Sequence, residues 1–137
     1  RSIAMAYKIG IVLCILLVFC SACGGKVNDV KTHEVSSLLY SQAEIDAAMD
    51  VIKREFRRNW DGCTLTELYY AGDEDSKNSQ SWANKYDADE AIVLMSSFDV
   101  DSSGPKQGLN PNCTYTEWHW ILVRAAGGRW QHVSHGY

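Results

Sequence analysis

Four histidines, His33, His119, His132 and His135, are the side chains in this 137-residue chain best suited to hold a metal or move a proton. Three of them fall in two aromatic and branched runs, Thr114–Arg124 and Arg129–His135, joined through Ala126-Gly127-Gly128-Arg129. That sequence reads as a β-hairpin. A turn centred between Gly127 and Gly128 pairs Trp120 with His135, Val123 with His132 and His119 with Gly136. His119 and His132 then share a sheet face but stand about 13 Å apart along it. His135 points to the opposite face. Zinc needs its nitrogens within about 2 Å of one point, so this register predicts no metal site and no cofactor. His33 lies apart, in a polar stretch.

Other constellations are thinner. Asp99-Val100-Asp101-Ser102-Ser103-Gly104 resembles the front half of an EF-hand calcium loop, with Asp99, Asp101 and Ser103 as oxygen donors and Gly104 at the turn. The back half departs, because Asn110 stands where a bidentate Glu is needed. A polar loop exit is the plainer reading. Glu117 and His119 are two residues apart on a strand and could form an acid–base pair. Ser96, Ser97, Ser102 and Ser103 lack the Gly-x-Ser-x-Gly elbow of a serine nucleophile. No catalytic residue is assigned.

The elements that must carry these residues are legible. Ser41-Gln42-Ala43-Glu44 is a capping box, and Tyr40 with Ile45 fits a hydrophobic staple around it. Ile45, Ala48, Met49, Ile52 and Phe56 then form one apolar stripe, which predicts a helix over 42–59. Lys53, Arg54, Arg57 and Arg58 sit late in it, where the helix dipole favours cations. Strands are expected over Thr64–Tyr70, Ala91–Val100, Thr114–Arg124 and Arg129–His135. Residues 72–90 read as a long acidic connection with a short helix around Trp82. The fold class is α+β, one helix packed on a four-stranded antiparallel sheet.

The N-terminus bears on location. A short basic head ending at Lys8 precedes the uncharged run Ile9–Ala22, which is too short for a spanning helix of about 20 residues. Basic head, apolar run and small residues make the layout of a secretory signal. Cys20-Ser21-Ala22-Cys23 resembles a bacterial lipobox, with Cys20 where Leu is usual. That resemblance implies a lipid on Cys23, a signal peptide over 1–22, and a domain held on the outer side of the cell membrane. A cleaved secreted protein and a retained anchor are the other readings. Residues 23–40 read as a tether. Loss of Arg1 and Lys8 with the signal takes the net charge from −4 to −6, which argues against nucleic acid as a partner. Cys63 and Cys113 remain as an even pair in an oxidising compartment. A disulfide between them would contribute roughly 3–4 kcal/mol; two separate thiols are the alternative.

The ending Gly-Gly-Arg-Trp-Gln-His-Val-Ser-His-Gly-Tyr is similar to the last strand of small cystatin-like lipoproteins of unknown function from gut Gram-positive bacteria. The resemblance extends loosely over residues 41–137 and implies a cystatin-like roll without implying catalytic residues. Strand alternation puts Trp118, Trp120, His135 and Tyr137 on one face, and Ile121, Val123 and Trp130 on the other. One helix covers one face only. The tryptophan face is therefore expected to be a binding surface for a protein or small ligand, unless the 71–90 segment or a second copy in a homodimer covers the spare face. The competing reading is a small enzyme of a related roll fold, with a pocket between helix and sheet.

Overall fold

The structure is a computed structural model, and it describes residues 24–103 and 108–137. Helix α1 (Gln42–Asn59) begins at the capping box. Ser41 Oγ accepts from the Glu44 amide at 3.2 Å, and Glu44 Oε1 accepts from the Ser41 amide at 2.9 Å. Its buried residues are Ile45, Ala48, Met49, Ile52 and Phe56, the stripe that the spacing predicts. Trp60 follows the helix and stacks on Phe56 with ring centroids 5.5 Å apart.

Four strands form one antiparallel meander, β1 (Cys63–Tyr70), β2 (Glu90–Val100), β3 (Thr114–Arg124) and β4 (Gln131–Gly136), in that order. No helix among the described residues is long and apolar enough to cross a membrane. In β2 Ala91, Ile92, Val93 and Leu94 are all buried, because both faces of the sheet are covered there. Ile92 and Leu94 join the main core under α1, with Phe56, Trp60, Trp120 and Leu122. Ala91 and Val123 lie on the other face with Ala83 and Trp82.

The second cover comes from the 71–90 segment. It folds as two short helices, α2 (Asp73–Asn78) and α3 (Gln80–Lys85). Ser76 is fully buried, and its hydroxyl accepts from the Val93 amide at 3.2 Å. Beyond the end of β1, that bond satisfies an edge donor which would otherwise go unpaired.

Residues 24–40, expected as a tether, lie against the domain instead. Lys26 bridges Thr64 and Lys31 bridges Glu67, both parallel, so the segment runs along the outer edge of β1. Val27, Val30 and Val35 pack on the main core. Gly25 donates to the Phe56 carbonyl at 3.1 Å. A Cβ at Gly24 would overlap the Arg57 carbonyl oxygen, and Gly24 has φ +107°. Only glycine allows this approach to the helix end.

Candidate functional site

The tryptophans come first, because the expected binding face is the face that α1 covers. Trp120 is 0 % exposed and packs against Phe56 and Trp60 at 6.4 and 5.0 Å between ring centroids. Its indole N–H donates to Ser96 Oγ at 2.7 Å, and Ser96 Oγ donates to the Trp118 carbonyl at 3.1 Å. Ser96 is thus the polar partner of a core tryptophan. Trp118 is half-buried in a ring cluster with Trp60, Phe98 and Tyr115. His135 and Tyr137 are exposed at its rim. Trp130, expected on the opposite face, also belongs to the main core, edge-on to Tyr40 at 5.5 Å. These rings pack the interior beneath α1, where the competing reading places an enzyme pocket.

The histidine register needs a second correction. Trp120 does face His135 and His119 faces Gly136, but His132 faces Leu122 rather than Val123. A bulge at the Ile121/Leu122 step shifts the pairing by one residue. A one-residue shift turns side chains over, so His132 joins His135 on the helix side. Their rings stack, with His135 Nδ1 and His132 Nε2 3.3 Å apart. Packing against the Trp120 ring strips water from half-buried His132 and from the inner side of His135, and this desolvation, first of all, holds both imidazoles below the usual histidine range; Glu55 pulls them back up. Among the described residues no group of three or more His, Cys, Asp or Glu is placed to hold an ion.

His33 stacks on Tyr69 and bonds Glu67 Oε2 at 2.6 Å. Glu117 sits at φ 53° in the bulge where Ser97 lies opposite Thr116 and Glu117, and makes no ion pair with His119. Asp99 accepts from Thr114 Oγ1 at 2.7 Å, and Asp101 from the Ser103 amide at 2.9 Å; Gly104 lies outside the described residues.

Cys63 and Cys113 are both free, the first buried and the second exposed. They lie at the same sheet end. Cys63 pairs with Val100, and the Val100 amide donates to the Cys113 carbonyl at 2.8 Å. Strand β2 therefore runs between them. Two strand spacings amount to about 10 Å, beyond the roughly 7 Å limit for bridged Cα atoms. Burial pushes the Cys63 thiol up to about 11. Cys23 and the signal-like run lie outside the described residues.

A cleft opens around His119, with neighbours that no sequence motif places beside it. Between α2–α3 and the outer face of β3 and β4 there is a space of about 440 Å³. Val93, Ile121 and Trp82 give it apolar walls; Asp75, Asn78, Ser79, His119 and Ser134 supply polar groups; His135, Gly136 and Tyr137 border it. His119 Nε2 stands 3.8 Å from Asp75 Oδ2, too far for a hydrogen bond. His119 Nδ1 is buried with no partner. Alternation places His119 and Ile121 on this face, but their neighbours come from α2 and α3, across a connection whose packing is not written in any local pattern. The arrangement offers hydrogen-bond donors and acceptors around an apolar floor, and its size suits a small molecule. No protein family, curated protein or solved structure matches the chain.

Proposed function

We propose that the protein is a lipid-anchored binding domain on the extracytoplasmic side of a bacterial cell membrane, a cystatin-like α+β roll that takes a small ligand into the cleft beside His119. The anchor rests on the lipobox-like Cys20-Ser21-Ala22-Cys23. The binding reading is carried by one observation: the polar side chains of Asp75 and Asn78 in α2, Ser79 after it, His119 in β3 and Ser134 in β4 converge over an apolar floor, with Trp82 of α3 at its wall. In the competing enzyme reading, Asp75 and His119 of this cleft would serve as the acid–base pair.

A polar-fragment screen by NMR on the full chain in neutral detergent tests the proposal. Ligands should shift the His119 and Trp82 signals, and His119→Ala with Asp75→Ala should abolish binding without lowering the melting temperature. Hits that leave His119 and Trp82 unmoved would sink the cleft as the site. Labelled palmitate should enter wild-type cells' protein but not Cys23→Ser; label in the variant would remove the anchor.

A further inference from the structure

A second groove lies on the other side of the molecule, between the last turns of α1 and edge strand β4. It encloses about 490 Å³ and is lined by Arg54, Arg58, Arg129 and His132, with Glu55 as the acid among its described lining residues. The neighbouring cleft of about 550 Å³ shares Arg54, Arg129 and Trp130 with it. In a chain of net charge −4, three guanidinium groups in one groove stand out. The helix dipole accounts for cations at the end of α1. It does not account for Arg129, which comes from the β3–β4 hairpin, or for Arg54 and Arg58 being four residues apart on the helix side that faces it.

Arg124 supplies the contrast. It lies at the inner end of the neighbouring cleft, where Glu44 and Glu90 both pair with it. Arg54, Arg58 and Arg129 are exposed and take part in none of the ion pairs among the described residues. Glu55 is engaged by Asn59 Nδ2 at 2.9 Å. The groove thus presents three guanidinium forks from two elements to one small volume, and no lysine. Planar forks of this kind match the oxygens of a phosphate group in pairs.

We infer that the Arg54–Arg58–Arg129 groove binds a phosphate group carried by a small molecule or by a lipid headgroup. The full chain in neutral detergent, titrated calorimetrically with inorganic pyrophosphate and separately with glycerophosphoglycerol, tests this. Binding should shift the Trp130 indole and His132 signals in NMR spectra and weaken as salt rises. Tighter binding of pyrophosphate would point to a soluble phosphate; tighter binding of glycerophosphoglycerol would point to a lipid headgroup. Arg54→Gln with Arg129→Gln should weaken binding at least tenfold, and the corresponding double Lys variant several-fold. All three arginines are exposed, so the variants should melt as wild type; Arg58→Gln alone is the second variant should the double one not fold. Asp75→Ala should leave pyrophosphate binding unchanged, which separates this groove from the cleft beside His119. Three results would overturn the inference: no binding of either probe, wild-type affinity in the Gln variant, or wild-type affinity in the Lys variant, which would reduce the groove to diffuse charge.

Discussion

At Trp120 the two faces of the sheet are decided. Its ring is fully buried against Phe56 and Trp60, so Trp120→Ala should cost roughly 3–5 kcal/mol and leave little of an ordinary domain's stability. Ile121→Ala, on the half-buried outer face, should cost less and still give a cooperative thermal melt. A collapsed Ile121→Ala beside a folded Trp120→Ala would reverse the faces. Alternation did tell that Trp118 and Trp120 oppose Ile121. It carries no information about which side meets α1, because both sides are apolar. The histidines behave similarly: their strands were legible, but the bulge that turns His132 onto the face of His135 depends on hairpin geometry and not on residue type. Because both imidazoles titrate lower in the folded chain, the unfolded chain takes up protons first as pH falls below about 6.5. Stability should therefore be full above that pH and decline below it. Urea melts at pH 7.5 and 5.5 should show a smaller loss in a His132→Gln, His135→Gln variant than in wild type; an equal loss would rule out the pair as the source.

Among the elements, α1 was the most legible, since cap, stripe and terminal cations all agree. The strands were also readable as runs, and their ends moved by only a residue or two. The cysteine pairing was not, since equal sheet end does not mean adjacent strand. Cys63 and Cys113 flank β2 on either side, so thiol titration should find Cys113 reactive in the folded domain and Cys63 reactive only on unfolding. Two blocked thiols in the unreduced, unfolded chain would contradict the strand order itself. The segment along β1 was misread as a tether for a related reason: its valines are spaced too irregularly to show a period, yet Val27, Val30 and Val35 reach the core. A Cβ at Gly25 would crowd the Phe56 and Trp60 carbonyls. Gly25→Ala should therefore lower the melting temperature by several degrees, equivalent to roughly 1–3 kcal/mol; an unchanged melt would mean that the segment is not held there.

For the molecule as a whole, one ion cluster ties the start of α1 to the far ends of β2 and β3: Arg124 bonds Glu90 Oε2 at 2.6 Å and also pairs with Glu44. The Ser41 amide, and after it Arg124, holds the Glu44 carboxyl down at about 2. With the usual value at 4.5, its contribution is complete above about pH 4.5 and is lost as pH falls towards about 2. Glu44→Gln should thus be less stable than wild type at pH 7 but converge on it in chemical melts near pH 2.5. A gap that stays constant with pH would place the effect outside the ion cluster.

The packing of Gly24 and Gly25 against the end of α1 bears on how such a domain would sit on a cell. With Cys23 acylated as proposed, the acyl chains would leave the bilayer only one residue before the chain is pinned to the Arg57 and Phe56 carbonyls. Nothing resembling a leash would remain. The attachment would act as a short bolt, setting the height and tilt of the domain above the lipid and fixing which of its grooves opens sideways and which faces the headgroups.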